Sequence, residues 1–151
     1  MRTLRKIRKI MHYALFDHLE DVYVLDADGN KIIDYTDPET GTVYYRMTGT
    51  QTAVYSTPIE FKASLSSELN EMHSKDYGVD QSSIYIEMCV PKGYLPDVKY
   101  GTKIWRNSEI EWEDEEHTVP AVDSSDYTVV GILDEYENFD WYLLQRNNHE
   151  D

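Results

Sequence analysis

Five histidines, one cysteine and a dense run of carboxylates are the residues of this chain best suited to chemistry. His12, His18, His73, His117 and His149 stand apart. None has a second histidine four residues on, and none adjoins Cys89, so the spacing of a zinc site is missing. Cys89 sits in the apolar run Ile84-Tyr85-Ile86-Glu87-Met88-Cys89-Val90 with no basic neighbour to favour its thiolate. It reads as a buried thiol rather than a nucleophile. Glu109, Glu111, Glu113, Asp114, Glu115 and Glu116 could supply a general acid and base. In a chain of formal charge −15, however, such a run reads first as a repelling or partner-facing surface. Asp26-Ala27-Asp28-Gly29-Asn30 has the opening of a calcium loop. That loop needs a glutamate at its twelfth position, which is Asp37 here, and helices on both sides, so the stretch reads as a turn. Gly-rich phosphate loops and a Gly-x-Ser-x-Gly elbow are absent. The expectation is a protein with no enzyme activity, no cofactor and no metal.

The elements that carry these residues look β-rich. The 151 residues suit one domain, 1–151, able to bury a core, and 40% hydrophobic with 28% charged residues is a globular balance. Thirteen tyrosines against three phenylalanines favour strands and interfaces, where the ring packs and the hydroxyl stays bonded. The lone cysteine excludes an internal disulfide. No apolar run approaches the ~20 residues of a membrane helix. The basic N-terminus leads into no apolar core and no small-residue cleavage site. The expectation is therefore no membrane, no signal peptide and a chain made in the cytoplasm.

Strand candidates follow one another closely. Ile10–Phe16 would place Met11, Tyr13 and Leu15 on one face. Val22–Leu25 and Lys31–Tyr35 flank the Asp-Gly turn as a hairpin. Val43–Met47 is a further strand, Thr48–Gln51 reads as loop, and residues 37–54 together suggest a protruding loop or hairpin. Ile59–Leu65 alternates apolar and polar residues as a half-buried strand does. One short helix is expected over 66–74, with Leu65, Leu69 and Met72 on its apolar face and Gly78 beyond its end. Ser83–Val90, Thr102–Trp105, the alternating Glu109–Glu113, and a C-terminal hairpin of Tyr127–Leu133 and Trp141–Gln145 complete the pattern. The fold class expected is all-β, mainly antiparallel: a small barrel or sandwich with long loops and at most one short helix.

Charge is placed unevenly. Residues 1–9 form a basic arm with Arg2, Arg5, Lys6, Arg8 and Lys9 and no acid, a charge of +5 that leaves −20 on the rest. So acidic a body repels nucleic acid, unless it imitates a duplex or guides DNA past without gripping it. Tyr44, Tyr45 and Tyr94 lie in loop-rich stretches, where they mark either an interface or ordinary sheet packing.

Several of these stretches together resemble the head-closure, or stopper, proteins in the neck of long-tailed phages, especially those of Gram-positive hosts. The matching pieces are Arg8-Lys9-Ile10 before Tyr13-Ala14-Leu15, the Asp26–Asn30 turn, and Tyr55-Ser56-Thr57-Pro58 through Ser66. Tyr77-Gly78-Val79-Asp80, Asp126-Tyr127-Thr128-Val129 and Leu143-Leu144-Gln145-Arg146 follow in the family's order. Residues 37–54 and the acidic, aromatic segment Tyr94–Glu116 depart from the family pattern. The resemblance implies a virion protein, assembled in the host cytoplasm, that forms a hexameric or dodecameric ring of copies of itself. Portal and adaptor proteins would lie above it and tail proteins below, with packaged DNA passing through without sequence-specific binding. It implies that the arm, Tyr44, Tyr45 and Tyr94 meet partners, and that some of Glu109, Glu111, Glu113, Asp114, Glu115 and Glu116 face the channel. The alternative from another class is a small acidic DNA-mimic inhibitor of a DNA-binding protein. A third, a hydrolase built on paired carboxylates, requires a pocket.

Overall fold

A computed structural model of the chain describes residues 9–66, 69, 71–79 and 84–147. In chain order the elements are β1 (Lys9–Ala14), β2 (Phe16–Tyr23), β3 (Ile33–Thr36), β4 (Val43–Tyr45), β5 (Met47–Tyr55), β6 (Ile59–Ser66), α1 (Glu71–Tyr77), β7 (Tyr85–Pro91), β8 (Lys103–Trp105), a 3-10 turn (Val122–Ser124), β9 (Tyr127–Leu133) and β10 (Phe139–Arg146). The chain divides into two compact units, Met1–Phe16 with Tyr55–Asp151, and Asp17–Val54.

The larger unit is a closed antiparallel barrel in the order β1-β6-β7-β10-β9-β8, with β8 pairing back onto β1. Closure leaves no sheet edge exposed to stray pairing. Ile86, Met88 and Val90 of β7 join the core cluster with Tyr142 and Leu144 of β10 and Met11 of β1. Each such aliphatic side chain, fully buried, contributes about 1.5–3 kcal/mol. Leu95 and Val98, from the loop after β7, are buried in the same cluster, and the Tyr142 hydroxyl donates to the Leu95 carbonyl at 3.3 Å. β10 pairs with β7 on one side and with its hairpin partner β9 on the other, with Trp141 opposite both Cys89 and Leu133. Its register shifts between Leu143 and Leu144, where Leu143 faces Gly131 and Leu144 faces Val129. Such a bulge sharpens local twist, as a small barrel requires.

The helix differs from its sequence-based expectation in both position and facing. It spans Glu71–Tyr77, and Met72 is 61% exposed although Leu69 is buried. His73 and Ser74 are buried instead. The reason lies on the wall below, where Glu87 gives polar side chains a partner that hydrophobic periodicity does not register. Gly78 ends the helix as expected. It adopts φ +76°, and the amides of Gly78 and Val79 both reach the Ser74 carbonyl at 3.0 Å.

The inserted unit, Asp17–Val54, contains two two-stranded sheets, one pairing β2 with β5 and one pairing β3 with β4. The Asp26–Asn30 turn forms as expected, with Gly29 at φ +85°, and the Asp26 carboxylate accepts the amides of Asp28 and Asn30 at 2.9 and 3.0 Å. That carboxylate is therefore occupied in building the turn. The flanking runs meet only at the Leu25–Lys31 bridge and then join different sheets. Residues 37–54 form only the second part of this unit. Thr48–Gln51, expected as loop, lies inside β5, where threonine's β-branched side chain suits a strand. The acidic Asp17–Asp21 stretch, which has no hydrophobic alternation, forms most of β2.

The alternating segment Glu109–Glu113 forms no strand; a single bridge joins Trp112 to Pro120. Side-chain oxygens compete for the backbone here. Ser124 Oγ takes the Glu111 amide at 3.1 Å, and Asp114 takes the amides of Thr118 and Val119.

Candidate functional site

Among the described residues the inserted unit carries seven of the fourteen exposed large hydrophobic side chains. β3 is exposed along its whole length, as are the first six residues of β2 and of β5. Leu25, Ile33, Tyr35, Tyr44 and Met47 are all more than half exposed, and Tyr45 is 38% exposed. Tyr35 and Tyr44 stack at 6.1 Å between ring centroids, while Tyr23 and Tyr45 meet edge to face at 6.2 Å. Lys31 Nζ lies 4.1 Å from the Tyr23 ring centroid and 5.4 Å from that of Tyr45. Two-stranded ribbons are marginal in water, and clustered exposed apolar side chains are characteristic of interaction surfaces. The tyrosine pair picked out in the sequence, Tyr44 and Tyr45, falls within this surface. Tyr94 belongs to the barrel unit, is 45% exposed, and accepts the Lys62 amide at 3.5 Å.

Of the arm, Arg2, Arg5, Lys6 and Arg8 lie outside the described residues. The backbone of Lys9 opens β1 opposite Ala63.

The acids of 109–116 have unequal roles. Glu109, Glu111, Glu113, Glu115 and Glu116 are exposed. Asp114 is structural: its carboxylate bonds the Thr118 hydroxyl and the Val119 amide, and these hold its pKa below the usual carboxylate range. His117, at φ +58°, stacks on Trp112 with centroids 4.9 Å apart and planes at 6°. The segment is tied to the barrel through Asp126. One carboxylate oxygen accepts the amides of Arg106, Asn107 and Ser108 at 2.7, 2.9 and 3.1 Å, and the other takes the Ser108 hydroxyl at 2.6 Å. Partial burial opposes ionisation of Asp126, but the Ser108 hydroxyl and the three amides outweigh it, so its pKa is lowered.

The least expected arrangement lies under α1. Glu87 is 3% exposed, and its Oε2 lies 2.5 Å from His73 Nδ1 and 2.9 Å from the Tyr77 hydroxyl. His73 also sits 4.8 Å from Trp141, ring to ring. Burial pushes the Glu87 pKa up, and the bonds from Tyr77 and His73 only partly offset it. Burial and the Glu87 charge push the Tyr77 hydroxyl up as well. The neighbouring Cys89 thiol is pushed up to about 12 by burial, then by Glu87 and Asp140. It is thus held as an inert thiol, as its apolar run suggests. The cluster can hold a proton and fasten a helix. One sequence signal pointed to it: Glu87 is the only charge inside the apolar run 84–90. Among the described residues no group of three or more histidine, cysteine or acidic side chains could hold a metal ion, and no helix is long and apolar enough to cross a membrane.

These features define a class: a closed six-stranded antiparallel barrel with a short helix fastened by a buried polar anchor and an inserted, largely exposed β unit. No protein-family model, curated protein or solved structure matches the chain.

Proposed function

We propose that this chain is a structural protein of a phage neck, one subunit of a ring that closes the DNA-filled head and joins it to the tail. The observation that carries the reading is the inserted unit, two ribbons with exposed aromatic and aliphatic side chains grafted onto an edge-free barrel. A barrel that hides its own edges and displays such ribbons is suited to assembling with neighbours. The charge supports the same reading. Exposed carboxylates repel phosphate, so DNA passing such a surface slides rather than sticks. Apart from Tyr55 at the end of β5, the resemblance in Tyr55–Ser66 and in the C-terminal hairpin falls on β6, β9 and β10, strands of the barrel. A DNA mimic is less well supported. Glu109–Glu116 forms neither strand nor helix, so its carboxylates lack the regular repeat that would copy a phosphate ladder.

Co-assembly tests the reading. Mixed with purified portal–adaptor complexes, the chain should add a ring of density at the channel exit under the electron microscope. An unchanged portal–adaptor image, together with tight binding to a DNA-processing enzyme, would overturn it.

A further inference from the structure

The inserted unit is both aromatic and acidic, and this combination selects a partner. It holds eight carboxylates against Lys31 and Arg46, a net charge of −6. Two such units face to face would repel, so the exposed tyrosine surface is poorly suited to pairing with itself. What it suits is a cationic segment. Lys31 already shows the chemistry, with its ammonium set over Tyr23 and near Tyr45. Cation–π contacts of this kind are worth more when water is displaced.

The chain carries one segment of matching chemistry. Residues 1–9 hold five cations, no acid, and Leu4 and Ile7 as apolar side chains. The arm runs into β1 at Lys9, and the inserted unit begins eight residues on, at Asp17. A contact made by one patch of a copy on a different patch of the next is heterologous, and repeating it builds a ring where its rotation closes.

We propose that residues 1–9 of one copy dock on the aromatic, acidic surface of Asp17–Val54 of the next, with Arg and Lys side chains over the stacked rings of Tyr35 and Tyr44. The inference rests on the ring reading above and names the contact that would join neighbours. It concerns copies of this chain alone.

The test uses the full chain, isotopically labelled, and a synthetic peptide of residues 1–9. Amide shifts should be confined to 17–54, and the apparent Kd should rise several-fold between 50 and 200 mM salt, as charge-driven binding does. Asp28→Lys with Glu39→Lys should weaken the peptide at least tenfold. Neither carboxylate holds a turn, that task falling to Asp26 and Asp37. Tyr44→Ala should weaken it while leaving the barrel amides in place. Absence of shifts, or shifts centred on 109–116, would overturn the proposal. The two readings fail separately. Peptide docking without a ring on the portal sinks the neck assignment, and a ring whose 17–54 amides ignore the peptide sinks only this contact.

Discussion

His73 Nδ1 lies 2.5 Å from Glu87 Oε2, and both side chains are almost wholly buried. The Tyr77 hydroxyl meets the same oxygen, so one carboxylate fastens two turns of α1 to the barrel wall. A seven-residue helix is far too short to persist alone. Its order depends on this anchor.

Removing the anchor takes the Glu87 carboxylate from His73 and Tyr77. Glu87→Ala should therefore destabilise the protein by about 1–3 kcal/mol, the cost of losing a buried hydrogen-bond partner. Urea unfolding followed by tryptophan fluorescence measures it, since Trp141 packs edge-on against His73. Glu87→Gln keeps the shape and an acceptor oxygen, and should cost less than half as much. Equal losses for the two variants would show that the carboxylate does not act as the anchor.

Close packing over the same helix gives a second prediction. A Cβ at Gly131 would stand 2.7 Å from Tyr77 Cδ1 and 2.9 Å from Leu143 Cβ. Gly131→Ala should thus cost about 1–3 kcal/mol by overpacking. Amide exchange should quicken across Glu71–Tyr77 before it changes in β7. Gly29→Ala is the control: its Cβ would meet nothing within 4 Å, and only the positive φ is strained, so α1 exchange should not change.

Acid sensitivity should come from Asp126 and not from Glu87. The Glu87 pKa is raised in the fold, so its contribution is fully present below its unfolded value and is lost as pH rises through the folded one. Asp126 has the opposite sign. Its pKa is lowered from 3.8, so its contribution is present above that value and is lost as pH falls through the folded pKa. Asp126→Asn should cost about 1–2 kcal/mol at pH 7, reduced by partial solvent access. It should also flatten the fall in stability below pH 3.8, measured by urea midpoints from pH 5 to pH 2. An unchanged slope would shift the acid response to Asp114 and Asp37, whose pKa values are also lowered.

The all-β class and the barrel strands were legible because burial on one face imposes alternation. On β6, Phe61 and Ala63 are buried while Glu60 and Lys62 are exposed. The helix was misplaced because a buried glutamate reverses the rule that apolar residues mark the covered face. Met72 is left in water, and His73 takes its place. β2 was hidden for the opposite reason. Its strand is exposed over its first six residues, so no hydrophobic pattern marks it. Among the candidate site residues, Tyr44 and Tyr45 were legible as aromatics near turns. The distinction between Asp114 and its acidic neighbours was not, since only the fold shows which carboxylate closes a turn.

That distinction yields the last prediction. Glu109, Glu111, Glu113, Glu115 and Glu116 are exposed, and surface substitutions of this kind usually change stability by less than about 0.5 kcal/mol. Replacing all five by Gln should leave the unfolding midpoint nearly unchanged, whereas Asp114→Ala alone should loosen the turn through Thr118 and Val119. If the five keep DNA from adhering, reversing them to Lys should create duplex binding that the natural chain lacks. The binding should weaken steeply with salt, because each phosphate neutralised adds to the slope of log K against log salt. Fluorescence anisotropy of a labelled duplex from 50 to 200 mM salt reads this directly. A Lys variant that stays folded and still ignores DNA would mean that these side chains do not form one continuous surface, and would remove them from any channel lining.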